Sequence, residues 1–179
     1  MSDYIVRKAN SNDLLRIKEL HNQLLCVKYS NAFFELLITE SQYQLYLIED
    51  NRYIVGFASY KIEWEQTKNG YIKKACLLTF GVDESYQKKG IGSQLIETTG
   101  KMIVEKYKCS YIYLHCLENN APVRSFYEHN HFDYKYTLKD YYTFDNQLND
   151  ACFYSREYNH ICFSVFSYYF HSFIDFICC

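Results

Sequence analysis

The chain has 179 residues, which is enough for one enclosed core and too few for two comfortable domains. Its formal net charge of −2 does not indicate a nucleic-acid-binding protein. Eight cysteines occur without a C-x-x-C pair, and the N-terminus lacks the pattern of a secretory leader, so we expect reduced, mostly buried thiols and no metal.

Hydrophobic periodicity predicts strands and helices in alternation. In chain order, the first half predicts a strand, two helices and three strands, over residues 4–8, 14–25, 31–38, 43–48, 53–62 and 74–82. The second half predicts a helix, a strand, a helix and two strands, over residues 90–107, 111–116, 122–128, 132–138 and 151–158. This order is typical of an α/β domain with a mixed sheet.

A glycine-containing turn lies between the fourth predicted strand and the third predicted helix. It reads Gln-Lys-Lys-Gly-Ile-Gly over residues 87–92. A turn that leads into a helix leaves backbone N–H groups unpaired at the positive end of the helix dipole, which favours binding of an anion. No dinucleotide-binding fingerprint or P-loop accompanies the turn, and an ordinary strand-to-helix connection remains the alternative.

The turn has the spacing Q/R-x-x-G-x-G/A, which resembles the pyrophosphate-binding loop of the GCN5-related N-acetyltransferase (GNAT) superfamily. Further segments resemble the N-alpha-acetyltransferases within it, most closely the Golgi-associated NatF type. These segments are Leu25–Tyr29 with Phe33-Phe34, Tyr113-Leu114-His115, Asn120, Phe126-Tyr127, and Tyr141-Tyr142 on an expected loop. The resemblance implies a GNAT fold over residues 1–158, with a mixed, mostly antiparallel central sheet and about four flanking helices.

The resemblance also implies that acetyl-CoA is the co-substrate. Backbone amides of the turn are expected to hold its pyrophosphate, with Lys88 and Lys89 either adding charge or serving as plain surface residues. Asn120 is expected to bind the pantetheine arm, to cap its helix, or to do both. The full set of expected cofactor-binding residues is Gly81, Val82, Gln87, Lys88, Lys89, Gly90, Ile91, Gly92, Asn120 and Tyr127.

His115, Tyr127 and Cys76 are the expected catalytic residues. By resemblance, His115 takes a proton from the attacking amine through an ordered water, and Tyr127 protonates the leaving thiolate or binds the cofactor. Cys76 occupies the position where the subgroup has a tyrosine that shares the role of base, and a neutral thiol is a poor base. Tyr71 is a possible substitute. Taken alone, a strand histidine and a Phe-Tyr pair on a helix more often pack in a core.

The expected acceptor is a protein N-terminus. An α-amino group has a pKa near 8 against about 10.4 for lysine, so it needs less help to lose its proton at neutral pH. The fourth predicted strand, which ends at Val82, also lacks the glutamate that many lysine-directed relatives use as base. Residues expected to bind the acceptor, especially one that retains its initiator Met, are Leu25, Val27, Tyr29, Tyr141 and Tyr142. A lysine, histone or small-amine acetyltransferase and an inactive acyl-CoA-binding module are the alternatives.

Residues 161–179 place their polar side chains at steps of three and four, which predicts an amphipathic helix with a Phe- and Ile-rich face. We expect this tail to lie in the interface of a membrane, with Cys178 and Cys179 as candidates for lipidation. The expected location is the cytoplasmic face of an internal membrane, by resemblance the Golgi, with a soluble cytoplasmic protein as the alternative. Packing of the tail on its own domain or on a second subunit also remains open.

Overall fold

The computed structural model describes residues 4–25, 27–144 and 147–158. Seven strands form one sheet: β1 Ile5–Lys8, β2 Tyr43–Asp50, β3 Tyr53–Thr67, β4 Gly70–Val82, β5 Cys109–Leu117, β6 Asp133–Phe144 and β7 Gln147–Glu157. Four helices flank it: α1 Leu14–Leu24, α2 Asn31–Thr39, α3 Ile91–Tyr107 and α4 Ala121–His129. The expected helical tail falls outside the described residues.

The strands lie in the order β1-β2-β3-β4-β5-β7-β6. Neighbouring described strands are antiparallel except β4 and β5, which are parallel and connected through α3. The prediction of a mixed, mostly antiparallel sheet with four helices is therefore confirmed.

Strands β3, β4 and β6 are considerably longer in the structure than in the prediction. Strands β3 and β4 form one hairpin whose tip is fastened by Thr67, which donates to Gly70 O at 2.9 Å and accepts from Asn69 N at 3.2 Å. The polar outer part of this hairpin is held by cross-strand ion pairs such as Lys74–Glu65 at 3.5 Å. Apolar periodicity alone does not detect such a segment, because its side chains remain partly in water.

The helices divide the core between the two faces of the sheet. Apolar side chains of α3 and α4, among them Leu95, Ile103 and Tyr127, pack on the face that presents Ile112 and Leu114 of β5. On the opposite face α1 and α2 lie over β2, β3 and β4. Each fully buried aliphatic side chain contributes about 2 kcal/mol of hydrophobic stabilisation.

A bulge in β4 opens the sheet at its centre. Ser59 pairs with Thr79 and Tyr60 pairs with Leu77, so Leu78 is an extra residue in β4. The β4–β5 ladder ends at the pair Leu77–Leu114, although β4 continues to Val82 and β5 to Leu117. Bulges bend the strand that carries them. The consequence is a cleft between β4 and β5 whose facing strand edges have left the ladder.

Candidate active site

The cleft between β4 and β5 has a volume of about 600 Å³ and reaches from the start of α3 to the ends of α1 and β6. It brings together most of the residues that the sequence singled out. Those that line it are Leu25, Val27, Tyr29, Gly81, Val82, Gln87, Lys88, Gly90, Gly92, His115, Asn120, Tyr127 and Tyr142.

Four expected site residues are absent from the described lining of the cleft: Cys76, Lys89, Ile91 and Tyr141. The Ile91 side chain is buried in the core under α3, so only its backbone faces the turn. Lys89 donates to Ser85 O at 2.8 Å and lies over the Tyr86 ring, which directs its charge to the outer surface of the loop. Tyr141 lies behind His115, one layer away from the cleft.

The glycine turn has the geometry of an anion cradle. Gly90 precedes α3 with φ of 80°, a left-handed conformation that side chains disfavour. The first backbone bond of the helix runs from Gln94 N to Gly90 O, so the amides of Ile91, Gly92 and Ser93 precede that bond at the helix N-terminus. The Gln87 side chain donates to Val82 O at 2.9 Å and thereby ties the turn to the end of β4.

Helix α4 forms the second wall beside this turn. A Cβ added at Gly92 would lie 3.2 Å from the Phe126 ring, so the absence of a side chain lets α3 and α4 approach closely. Asn120 caps α4 by accepting from Val123 N at 3.2 Å through Oδ1. Its Nδ2 group is the donor that the cap does not use, and the residue lines the cleft. The two expected roles of Asn120 are therefore compatible.

Tyr127 lies in the middle of the cleft wall, nearly buried between Phe126, Phe132 and Tyr154. Burial raises the pKa of its phenol. The hydroxyl therefore stays protonated at neutral pH and is a proton donor rather than a base.

His115 lies on β5, at the end of the cleft opposite the glycine turn. Its ring stacks on Tyr141 at 4.6 Å between centroids, and its Nδ1 lies 3.5 Å from the Tyr141 hydroxyl. Burial lowers the pKa of the imidazole because the charged form loses its hydration. The neutral form, which can accept a proton, therefore dominates at neutral pH.

Cys76 is the register partner of Tyr113 on β5 and is buried beside the cleft. Burial raises the pKa of its thiol to about 11, so the group is neutral and does not serve as a base at pH 7. The suggested substitute, Tyr71, is 68 % exposed near the hairpin tip, where it pairs with Gln66. Tyr71 is five residues along the strand from Cys76 and does not replace the missing tyrosine.

Aromatic rings surround the acceptor end of the cleft. Tyr29 follows α1 and stacks on Phe33 at 4.4 Å between centroids. Tyr142 crosses Tyr141 edge-on at 4.9 Å, and burial raises the pKa of its hydroxyl. Tyr141 and Tyr142 lie on β6, after a register irregularity that begins at Leu138, rather than on the expected loop.

The structure adds a buried hydrogen-bonded chain behind the cleft that the sequence did not reveal. His21 on α1 is 1 % exposed, with Nδ1 2.9 Å from Ile17 O and Nε2 2.9 Å from the Thr79 hydroxyl. Because a carbonyl only accepts, Nδ1 carries the proton and Nε2 accepts from Thr79. Ser59 donates to the same Thr79 hydroxyl at 2.6 Å and accepts from Thr79 N at 3.1 Å. Each ring nitrogen and each hydroxyl in this network therefore has assigned donors and acceptors. The network connects α1 to β4, which lines the cleft.

Several features of the cleft suit a long, thin molecule with an anionic end. Helical amides lie at one end, and strand edges that have left the ladder run along the middle. Gly92 lines the cleft and has no side chain to cover its own amide. Amide groups of such a ligand can hydrogen-bond to the strand edges. Within the part of the chain that the structure describes, no cluster of His, Cys, Asp and Glu is arranged to hold a metal ion.

A sheet opened by a bulge, with a turn suited to anion binding at one end of the opening and a neutral histidine at the other, can hold a long donor molecule and accept a proton beside it. Residues 14–132 match the model of the Acetyltransferase (GNAT) family. The chain belongs to this family, and its enzyme class is an acetyl-CoA-dependent N-acetyltransferase.

Two relatives and one solved structure illustrate the similarity. The chain is 27% identical over 166 residues to N-alpha-acetyltransferase 60 of Xenopus tropicalis, and the aligned region covers 84% of this chain and 68% of the relative. It is 26% identical over 144 residues to the N-alpha-acetyltransferase of Saccharolobus solfataricus, covering 78% of this chain and 86% of the relative. The crystal structure of Arabidopsis thaliana NAA60 with a bisubstrate analogue superposes with a TM-score of 0.81 at 23% identity, over 88% of this chain and 100% of that one.

Proposed function

We propose that this protein is an N-alpha-acetyltransferase of the NatF type that acetylates the N-termini of proteins retaining their initiator Met. The observation that carries the proposal is the single continuous cleft that joins the glycine turn to His115 and Tyr142. The names of the relatives, N-alpha-acetyltransferase 60 and the archaeal N-alpha-acetyltransferases, support the choice of acceptor.

The residues of the cleft divide the reaction between its two ends. The amides in the first turn of α3 bind the pyrophosphate, and Asn120 together with the strand edges holds the pantetheine arm of acetyl-CoA. His115 accepts a proton from the attacking amine through water, because its lowered pKa keeps it neutral. The Tyr127 hydroxyl, which stays protonated, donates to the departing thiolate.

The proton chemistry favours an N-terminal amine over a lysine side chain. Removing the proton from an α-amino group at pH 7 costs about 1 kcal/mol, against about 5 kcal/mol for an unperturbed lysine. Among the described residues that line the cleft there is no Asp or Glu to share the role of base with His115. The acceptor that needs less help to lose its proton is therefore favoured.

The acceptor end of the cleft suits an apolar first residue. Leu25, Val27, Tyr29 and Tyr142 line it, and tyrosine hydroxyls can bind the peptide backbone while their rings contact a methionine side chain. This arrangement supports a substrate that keeps its initiator Met.

A panel of acceptor peptides tests the proposal. Purified full-length protein is incubated with acetyl-CoA and peptides that begin Met-Lys, Met-Leu or Ser, together with a peptide that carries a lysine behind a blocked N-terminus. We expect acetylation of the Met-Lys and Met-Leu peptides. Acetylation of the blocked peptide alone would show a lysine acetyltransferase, and saturable acetyl-CoA binding without product on any peptide would show an inactive binding module.

We further propose that residues 1–158 form the catalytic domain and that residues 161–179 attach it peripherally to the cytoplasmic face of an internal membrane, the Golgi in keeping with the NatF type. The support is the apolar face with polar side chains at steps of three and four in the sequence. No helix among the described residues is long and apolar enough to cross a bilayer. Flotation of the full chain with liposomes, and its loss on deletion of residues 161–179, tests the attachment.

A further inference from the structure

Aromatic side chains cover the part of the sheet that extends beyond α1 and α2. Those helices pack against β2, β3 and β4, whereas β5, β7 and β6 present Tyr111, Tyr113, Phe153 and Tyr136 on the same side. We call these four residues the aromatic face. Phe153 stacks on Tyr113 at 5.4 Å and on Tyr136 at 4.8 Å between ring centroids, and Tyr136 is 49 % exposed.

The aromatic face is continuous with the acceptor end of the cleft. His115 meets the Phe153 ring at 5.2 Å and the Tyr113 ring at 5.8 Å between centroids. The path from His115 over Phe153 to Tyr136 is therefore about 10 Å long, the length of roughly three extended residues. A peptide whose amine lies at His115 reaches the aromatic face with its third and fourth residues.

Most of the charges beside the aromatic face are paired. Glu63 accepts from the Tyr113 hydroxyl at 2.5 Å and pairs with Lys61 at 2.9 Å. Glu65 accepts from the Tyr111 hydroxyl at 2.5 Å and pairs with Lys74 at 3.5 Å. These two carboxylates and two ammonium groups balance, and one further carboxylate, Glu157, is the register partner of Tyr111 at the end of the face away from Phe153. The surface at Phe153 and Tyr136 therefore favours uncharged side chains over charged ones.

We propose that the aromatic face binds the third and fourth residues of the acceptor protein and selects apolar side chains there. The inference rests on the proposed function and extends it, because it adds a second determinant of specificity beyond the first residues of the acceptor. Apolar side chains bury surface against the Phe153 and Tyr136 rings, and the hydroxyl of the exposed Tyr136 can bind the peptide backbone.

Two 12-residue peptides test this inference on the full-length protein. Both begin Met-Lys and differ only at positions three and four, which are Leu-Leu in one and Ser-Ser in the other. We expect the Leu-Leu peptide to have a kcat/KM about tenfold higher, mainly through a lower KM. The Tyr136→Ala variant is expected to lose most of this preference, because its kcat/KM should fall much more for the Leu-Leu peptide than for the Ser-Ser peptide.

Tyr134 provides a matched control on the same strand. It is 46 % exposed and contacts Tyr154, whose ring belongs to the core on the opposite side of the sheet. Tyr134→Ala should therefore keep the wild-type preference. Phe153→Leu, which retains an apolar side chain but removes the ring stacks, should give a partial loss and serves if Tyr136→Ala folds poorly.

Equal kcat/KM for the two peptides with the wild-type enzyme would overturn the inference while leaving the proposed function intact. An equal loss for both peptides in Tyr136→Ala would also overturn it. Conversion of a dimer to a monomer by Tyr136→Ala in sedimentation analysis would assign the aromatic face to a second copy of the chain. Acetylation of neither peptide by the wild-type enzyme would instead refute the proposed function.

Discussion

The buried His21 makes the stability of the protein sensitive to acid. Both of its ring nitrogens are engaged in the neutral form, and protonation of Nε2 would remove the acceptor of the Thr79 hydroxyl. Burial lowers the pKa of His21 from the ordinary 6.5 to about 4. The unfolded chain therefore binds a proton at a higher pH than the folded protein. The contribution of neutral His21 to the free energy of unfolding is complete above pH 6.5 and is lost as the pH falls towards about 4.

The two pKa values give the size of the effect. Between about pH 7.5 and about pH 5, the folded protein should lose about 2 kcal/mol of unfolding free energy through His21 alone. Urea unfolding of the wild type and of His21→Gln at both pH values isolates this contribution, because other titrating groups are common to both proteins. NMR titration of the His21 ring checks the pKa directly. The same pH dependence in both proteins, or a His21 pKa near 6.5, would refute the reasoning.

Three further outcomes are expected at the cleft. Gly92→Ala places a methyl group 3.2 Å from the Phe126 ring, so calorimetry should show weaker acetyl-CoA binding, and Phe126→Leu in the same protein should restore it in part. His115→Ala should lower kcat/KM by about 10²-fold or more and remove the part of the acid-side decline that comes from His115, leaving only the decline from protonation of the acceptor amine, whereas an unchanged pH profile would exclude His115 as the base. Asn120→Ala should cost about 1 kcal/mol of stability by removing the α4 cap and should raise the KM for acetyl-CoA, while Asn120→Asp should keep the cap and still raise that KM.

The order of the elements and most of the site could be predicted from the sequence because their signals are local. The turn at residues 87–92 needs only its own glycines and the helix that follows, and Asn120 stands directly before the helix it caps. The family resemblance predicts His115 as the base, and in the structure His115 lines the cleft with a pKa lowered by burial.

Features that depend on contacts between distant residues could not be predicted. The chain from His21 to Thr79 and Ser59 joins three elements, and a lone histidine in an amphipathic helix gives no sign of its partners. The bulge at Leu78 depends on pairing between β3 and β4, which single-sequence periodicity does not contain. Proximity in the sequence suggests Tyr71 as a substitute base, but the register of the hairpin places it near the tip.

Because β4 separates from β5, the sheet consists of two parts that share only a short ladder. The two strands are joined by backbone hydrogen bonds up to the pair Leu77–Leu114, and after that pair they continue without a ladder between them. A donor molecule that bridges the gap would stand in for the missing ladder and restore lateral continuity to the sheet. Deuterium uptake by the backbone amides of residues 78–82 and 115–117 should therefore slow when coenzyme A binds. Such a result would show that the bound nucleotide stabilises the separated strands in addition to its role in the reaction.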